Sequence, residues 1–129
     1  MIWPDYNGVE YLIDGTKHYT FNGVLHRLNG PAIERINGHY TWFFRGKMHR
    51  VGAPADEGPL SDIWCIHGKK HRIDGPAVIS YFNDHRPSAC SWWLNGTKLN
   101  WDRAIKNKFF QDKYPELVAS ILIHLVHQS

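Results

Sequence analysis

A His-Arg pair occurs three times in the sequence, within the phrases HRLNGPA, HRVGAPA and HRIDGPA at residues 26–32, 49–55 and 71–77. Arginine is a planar, permanently charged donor that binds carboxylates and phosphates, and histidine gains its charge near neutral pH. A column of such pairs could therefore bind an anionic ligand, either nucleic acid or a phosphorylated small molecule. The residues of this column are His26, His49, His71, Arg27, Arg50 and Arg72.

The same pairs also have a structural interpretation. The three histidines are 23 and then 22 residues apart, which is typical of stacked supersecondary units. A repeat regenerates its packing contacts in every unit, so the arginines would lie against aromatic rings and donate to the carbonyls of the adjacent corner. The histidines would then fill half-buried positions. We favour this interpretation, and the sequence leaves the binding column open as the alternative.

An aromatic strand and a tight turn precede each pair. The segments are YTFNGVLHR, WFFRGKMHR and WCIHGKKHR, with a fourth, diverged copy in WWLNGTKLN. Asn22-Gly23 and Asn95-Gly96 are strong signals of two-residue hairpin turns, because such turns need positive φ at both central positions. The sequence therefore predicts a mostly β fold, built as an antiparallel meander of stacked hairpins. Three tryptophans that begin these strands are further candidate contact residues: Trp42, Trp64 and Trp92.

A chain corner follows each pair, with the sequence Gly-Pro-Ala in the first and third copies. Gly30 and Gly75 are predicted to take backbone angles that other residues avoid, and the proline after each glycine stops ladder pairing on one side. The middle copy carries Ala53 instead of that glycine and moves a glycine to Gly52. We therefore expect the middle corner to be irregular.

The hydrophobic period changes at Trp101. Trp101, Ile105 and Phe109 are spaced by four, which predicts a first helix that ends near Asp112. Pro115 begins a second predicted helix, whose wide apolar face we expect to cover the open end of the sheet. A docking or dimer surface is the alternative for that face. The fold class is therefore α+β, mostly β with two C-terminal helices.

The chain is predicted to form one domain of residues 1–129, with hairpin repeats of about 22 to 23 residues over 11–100 and a helical cap over 101–129. Its length is sufficient to bury a core without disulfides or a metal. The net charge is only +3, and the fifteen Lys and Arg are scattered from Lys17 to Lys113. This balance permits a weak attraction to anions but does not by itself predict nucleic-acid binding.

The sequence carries no local motif for catalysis or metal binding. It has no glycine-rich phosphate loop and no serine nucleophile motif, and its acidic residues form no evident acid-base pair. His67 and His71 are four apart, but a Gly-Lys-Lys turn lies between them, so no metal site is predicted. We therefore expect a protein without enzyme activity, cofactor or metal.

Three features bear on location. Cys65 and Cys90 lack CxxC spacing and are expected to be free thiols in a reducing compartment. The start of the chain lacks the features of a signal peptide. The most apolar stretch, LVASILIHLV, is half the length that a membrane span needs. We therefore expect a soluble, cytoplasmic protein without membrane contact.

The pattern W-x-x-x-G-x-x-H-R-x-x-G-P-A resembles the MORN-variant type of repeat that is found in many phage and bacterial proteins. Copies in those proteins often finish with a phrase like WYLNGKxL followed by an acidic helix start, and WWLNGTKLNWDRAI at residues 92–105 is similar to that ending. The resemblance covers about residues 11–105. It implies stacked antiparallel hairpins and an interaction role, and it carries over no catalytic residues.

These observations predict a non-catalytic binding module, an accessory protein of a phage or bacterium that binds a host macromolecule and can inhibit it. Another protein is the expected partner. The alternative partner is nucleic acid, or a nucleotide, bound through the His-Arg column. The uncapped first strand could pair with its counterpart in a second chain, so both a monomer and a homodimer are consistent with the sequence.

Overall fold

The computed structural model describes residues 3–128, with side chains through residue 126. This part of the chain is β-rich α+β, with fifteen strands and three helices. In chain order the strands are β1 (Gly8–Tyr11), β2 (Lys17–Phe21), β3 (Val24–Leu25), β4 (Ile33–Glu34), β5 (Tyr40–Thr41), β6 (Phe43–Phe44), β7 (Lys47–Met48), β8 (Asp56–Glu57), β9 (Ser61–Ile63), β10 (Cys65–Ile66), β11 (Lys69–Lys70), β12 (Val78–Tyr81), β13 (Pro87–Ser91), β14 (Trp93–Leu94) and β15 (Thr97–Lys98). The helices are α1 (Trp101–Lys106), α2 (Lys108–Lys113) and α3 (Pro115–Gln128). The predicted mostly β fold class is confirmed.

Eight of the strands form one antiparallel path. Their order across the sheet is β1-β2-β4-β5-β8-β9-β12-β13, and β3 pairs with β2 beside this path. Three short hairpins lie outside this sheet, namely β6-β7, β10-β11 and β14-β15. The register of β12 against β13 shifts between Ser80 and Tyr81. The predicted antiparallel hairpins are therefore present in the described part of the chain.

Four segments of similar sequence, here called units 1 to 4, have a common local arrangement. They are residues 19–32, 42–55, 64–77 and 92–99. In units 1 to 3 the first residue, which is aromatic, donates its backbone N–H to the carbonyl of the alanine that ends the unit, at 2.6 to 2.7 Å. These alanines are fully buried, so a larger side chain would not fit at the corner. They are Ala32, Ala55 and Ala77.

Each unit contains a two-residue hairpin turn with left-handed backbone. Asn22 and Asn95 have φ of 50° and 49°, and each is followed by a glycine with positive φ, so the predicted turns at these pairs are confirmed. The turns of units 2 and 3 have the same conformation, although they begin with Arg45 and His67 at φ of 54° and 48°. An arginine in this region is uncommon, so a contact from outside the turn is needed to hold it.

The C-terminal region contains three helices, and the prediction of two was wrong. The first predicted helix is divided at Asn107, whose backbone is extended at φ −98° and ψ 113°. The Asn107 side chain accepts the backbone N–H of Phe110 at 3.0 Å and thereby caps α2. The capping bond competes with continuation of the helix, and the spacing of the apolar residues does not reveal it. No helix in residues 3–128 is long and apolar enough to cross a membrane.

Helix α3 packs on unit 4. Leu117 and Ile121 are fully buried against Trp92, which is 4% exposed. The Trp92 indole N–H donates to Ser120 Oγ at 3.2 Å. The partly buried residues around this cluster are Cys90, Leu94, Leu99, Ile105, Phe110, Tyr114 and Leu125. The last unit is thus closed by apolar helix packing.

The segment before β1 closes unit 1. The Asn7 side chain accepts the backbone N–H of Asn22 at 3.0 Å and donates to the Asn22 side chain at 2.9 Å. The Trp3 ring packs against the rings of Phe21 and His26. Strand β1 begins at Gly8, upstream of residue 11, where the hairpin repeats were predicted to begin.

Replacement of Leu117 by alanine is expected to lower the free energy of unfolding by about 2–5 kcal/mol, because it leaves a cavity against Trp92. Urea unfolding followed by tryptophan fluorescence measures the change. Leu122 on the same helix is the matched control, because its side chain is exposed. Leu122→Ala is expected to cost less than about 1 kcal/mol. Equal losses for the two variants would contradict the packing described here.

Candidate functional site

The three histidines of the His-Arg column make the same contact. Each Nδ1 accepts the backbone N–H of the first turn residue in the next unit, at 2.9 to 3.0 Å. A neutral ring whose Nδ1 accepts carries its proton on Nε2. The pairs are His26 with Arg45, His49 with His67 and His71 with Asn95. Each bond holds the left-handed turn of one unit against the histidine of the unit before it.

His26 is the most enclosed of the three histidines. Its side chain is fully buried between the rings of Trp3 and Phe44, and its Nε2 donates to the Pro4 carbonyl at 2.8 Å. Both ring nitrogens of His26 are therefore engaged within the protein. The prediction of half-buried histidines holds for His49 and His71 and was wrong for His26.

The three arginines of the column also share one arrangement. Each guanidinium lies over the aromatic ring that begins its own unit, with 3.8 to 4.1 Å between Cζ and the ring centroid. Each Nη1 donates to the carbonyl of the proline four residues later, at 3.1 Å. The stacked pairs are Arg27 on Tyr19, Arg50 on Trp42 and Arg72 on Trp64. The predicted contacts with rings and corner carbonyls are thus confirmed.

The corner glycines Gly30 and Gly75 leave space for an arginine side chain of the same unit. Neither Gly30 nor Gly75 has positive φ, so the prediction of unusual backbone angles at these positions was wrong. A Cβ at Gly75 would lie 2.7 Å from Arg72 Cζ, and a Cβ at Gly30 would lie 2.7 Å from Arg27 Cζ. A Cβ essentially never lies this close to another carbon, so a side chain at either glycine would displace the guanidinium group.

The middle corner differs from the other two in its backbone. Gly52 has φ of 81°, whereas the equivalent Asp74 of unit 3 does not have positive φ. Arg50 nevertheless donates to the Pro54 carbonyl as the other arginines do to theirs. The irregularity predicted from the sequence is therefore present at Gly52, and Arg50 keeps its carbonyl contact although Ala53 stands in place of the usual glycine.

The arginines differ in their ion pairs. Arg27 and Arg72 lie 2.6 and 2.8 Å from a neighbouring carboxylate oxygen. Arg50 has the Glu57 carboxylate at 3.9 Å, and the Arg50 side chain is 25% exposed. Arg50 therefore has the weakest internal ion pair of the three and the greatest capacity to bind an external carboxylate.

The candidate tryptophans fall into two groups. Trp42 and Trp64 are half-buried beneath the guanidinium groups of Arg50 and Arg72. Trp92 has no arginine over it and is buried beneath α3. Trp42 and Trp64 are thus accessible at the surface, and Trp92 is covered by the chain itself.

A groove of about 380 Å³ lies between units 2 and 3 and is here called groove 2-3. Its lining combines apolar side chains with two guanidinium groups and the Asp74 carboxylate, which is paired with Arg72. Two of the aliphatic residues, Val51 and Ile73, are 78% and 52% exposed. They follow the His-Arg pair directly in their units. The groove is lined by Arg50, Val51, Gly52, Trp64, Ile66, His71, Arg72, Ile73 and Asp74.

A second groove, of about 310 Å³, lies between units 1 and 2 and is here called groove 1-2. Its lining is Arg27, Leu28, Trp42, Phe44, His49, Arg50 and Val51. Each of these residues corresponds in sequence position to a residue of the next unit, and that residue lines groove 2-3. The two grooves are therefore equivalent sites with aliphatic, aromatic and guanidinium groups in the same order.

Unit 4 has an occupied counterpart of the grooves. Trp92, Leu94 and Leu99 stand at the positions of Trp64, Ile66 and His71 in unit 3. In unit 4 these residues pack around Leu117 and Ile121 of α3. The same positions thus face a groove in unit 3 and an amphipathic helix in unit 4.

The structure also assembles a basic surface that the sequence analysis did not predict. The hairpins β6-β7, β10-β11 and β14-β15 are here called the hairpin row, and they carry Arg45, Lys47, Lys69, Lys70 and Lys98. The first and last of these cations, Arg45 and Lys98, are more than fifty residues apart in the sequence, so the five look scattered along the chain. The available signal was a lysine one or two residues after each turn glycine, in RGKM, HGKK and NGTK.

Cys90 and His124 form a contact that the sequence analysis also missed. Cys90 Sγ lies 3.4 Å from His124 Nδ1, next to Trp92. Burial raises the pKa of the Cys90 thiol above its usual value. A nucleophilic cysteine needs a lowered thiol pKa, so this contact does not have the electrostatics of an activated thiolate. The described side chains contain no group of three or more His, Cys, Asp or Glu that could hold a metal ion.

The fold and surface together define a β-rich α+β protein with equivalent grooves and a basic row of hairpins. Comparison with protein-family models, with curated proteins and with solved structures finds no match for the chain. The resemblance to MORN-variant repeats therefore stays a prediction from the sequence pattern.

Acidification is expected to destabilise the protein through His49. Burial and the adjacent His67 ring lower the pKa of His49 below 6.5, and only the neutral ring accepts the His67 N–H. Between pH 6.5 and the lower pKa of the folded state, the unfolded chain binds more protons. The free energy of unfolding must therefore fall as the pH falls through this window. Urea midpoints measured from about pH 7.5 to about pH 5 provide the test.

The variant His49→Asn separates this contact from other titrating groups. Its Oδ1 can replace Nδ1 as the acceptor and does not titrate, so the fall in stability with pH should be smaller than in the wild type. His85 is the matched control, because it is exposed and has φ of 67°, which asparagine tolerates. An unchanged pH dependence in His49→Asn would contradict the role of His49.

The variant Gly75→Ala is expected to lower the free energy of unfolding by about 1–3 kcal/mol, because the new Cβ displaces the Arg72 guanidinium from Trp64. In an Arg72→Met background the same change should cost less, since the flexible methionine can move away. A double-mutant cycle measured by urea unfolding gives the coupling between the two positions. Additive losses would show that the glycine is not required by the arginine.

Proposed function

We propose that this protein is a non-catalytic binding module that binds an α-helix of another protein in grooves 1-2 and 2-3. The observation that carries the proposal is the equivalence of the two grooves, each with an exposed aliphatic residue beside guanidinium groups. This role agrees with the phage or bacterial accessory protein that the sequence resemblance implies.

Exposed aliphatic residues in equivalent positions support a protein partner. Leu28, Val51 and Ile73 follow the three His-Arg pairs, and all three are exposed. Apolar side chains that line a pocket and are ringed by polar groups are typical anchors of protein interfaces. A partner that buried them would gain the free energy of removing their surface from water.

Helix α3 supports a helical partner. It places Leu117 and Ile121, which are four residues apart, against the unit 4 positions that correspond to groove residues. Residues four apart lie on one face of a helix, so a partner helix with the same spacing could place one aliphatic residue in a groove. The weakly paired Arg50 would then bind an acidic residue of that helix.

The contacts of the His-Arg column count against nucleic acid or a phosphorylated small molecule at that column. The histidine Nδ1 atoms accept backbone N–H groups, and Arg27 and Arg72 are paired with carboxylates. A phosphate would have to displace these internal partners. The groove therefore is the better-supported binding surface on this face.

The double variant Val51→Asp/Ile73→Asp tests the grooves. Wild-type protein is immobilised and incubated with a bacterial lysate. It is expected to retain a discrete protein at both low and moderate salt, because an apolar interface is weakly salt-dependent. The groove variant should lose that protein by at least about 10-fold, since each buried carboxylate is costly. Mass spectrometry and thermal unfolding of both forms complete the measurement.

The matched control is Ile13→Asp/Phe109→Asp, which makes the same change at two exposed apolar residues outside the grooves. It should retain the partner as the wild type does. Equal retention by the two double variants, or retention of nucleic acid alone that is lost at moderate salt, would overturn the proposal.

A further inference from the structure

The hairpin row has a net positive charge, whereas the rest of the chain does not. It contains five cationic residues and no Asp or Glu. The whole chain has fifteen Lys and Arg and twelve Asp and Glu, so outside the row ten cations are balanced against twelve acids. The modest net charge of +3 is therefore the sum of a strongly basic row and a slightly acidic remainder.

The cations of the row are also free of ion pairs with described residues, in contrast to Arg27, Arg72 and the paired lysines of α1 and α2. Two of them lie over rings instead: Arg45 is 5.2 Å from the Trp3 ring and Lys70 is 4.5 Å from the Trp93 ring. An aromatic ring orients a cation without neutralising it. The row therefore keeps its full positive charge.

The cations form a line because the hairpins lie side by side. The Gly68 N–H donates to the Met48 carbonyl at 2.8 Å, and an equivalent 2.8 Å bond joins the next two hairpins. A Cβ at Gly68 would lie 3.6 Å from Lys47 Cβ, and a Cβ at Gly96 would lie 3.6 Å from Lys69 Cβ. The side chains of Lys47 and Lys69 thus lie against the turn of the next hairpin.

The exposed surface of the row is polar. Its exposed residues are Arg45, Gly46, Lys47, His67, Gly68, Lys69, Asn95, Gly96, Thr97 and Lys98. The aromatic side chains of the row are half-buried, and Trp93 lies beneath Lys70, so the row offers a protein partner little apolar surface as an anchor. A linear polyanion needs only positive charge along its path.

We infer that the hairpin row binds the phosphate backbone of nucleic acid without sequence preference. Lysines suit this role as mobile point charges, and backbone contacts carry no sequence information. Binding releases the counterions that the phosphates had condensed, which makes the affinity salt-dependent. The row differs from the His-Arg column and from the grooves, so this inference does not rest on the proposed function.

Fluorescence anisotropy with a labelled random-sequence DNA oligonucleotide, single-stranded and duplex, tests the inference. If all five cations contact phosphates, a plot of log affinity against log salt between about 50 and 200 mM salt should have a slope of about −4.5 for the duplex and about −3.5 for the single strand. The double variant Lys47→Glu/Lys69→Glu should bind at least about 10-fold more weakly and reduce that slope by about 2. Lys47→Gln/Lys69→Gln should give a smaller loss in the same direction.

The matched control is Lys108→Glu/Lys113→Glu, which makes the same charge change on α2 and should bind within about twofold of the wild type. Urea midpoints of all variants establish that they are folded. Equal losses for the row and control variants would show attraction to net charge alone and overturn the inference. No binding at low salt, or equally tight binding of polyglutamate, would also overturn it.

Discussion

The architecture depends on the hydrogen bond from each turn N–H to the histidine Nδ1 of the preceding unit. Between units 1 and 3 the buried apolar side chains are few, so directional bonds hold neighbouring hairpins in register where a large core would otherwise do so. The ends show the same requirement. Asn7 supplies the acceptor for the turn of unit 1, where units 2 to 4 use a histidine of the His-Arg column. Leu99 stands at the histidine position of unit 4, where helices follow in place of a further hairpin.

The arginine contacts determine which side chains remain available. Each guanidinium is held between an aromatic ring and the corner, so the aliphatic residue that follows it, such as Val51 or Ile73, borders a groove. On the hairpins Lys47 and Lys69 lie against the turn of the next hairpin, and neither forms an ion pair with a described residue. One local geometry thus produces an apolar surface with arginines and a separate polar surface with lysines. Their chemistry differs enough to suit different classes of partner.

Much of the fold was predictable because its signals are local. Asn22-Gly23 and Asn95-Gly96 specified hairpin turns, and the spacing of the His-Arg pairs indicated contacts that recur in units 1 to 3. The predictions that failed involve competing local hydrogen bonds or contacts that backbone preferences do not reveal. The Asn107 cap divides a helix whose apolar spacing is continuous, and Gly75 is set by an arginine three residues away through contact that no backbone preference reveals. Burial of Trp92 depends on a helix that lies far along the chain.

The sequence by itself determined the hairpins, the β-rich class and the arginine contacts, because turn chemistry and short-range stacking act between residues close in the chain. Only the tertiary structure decided which candidate residues face solvent. Both ring nitrogens of His26 form hydrogen bonds within the protein. Trp92 is covered by α3. The tertiary structure also brought Arg45 and Lys98 into one row. Such juxtapositions depend on how neighbouring hairpins align in space, and a list of spacings does not contain that alignment.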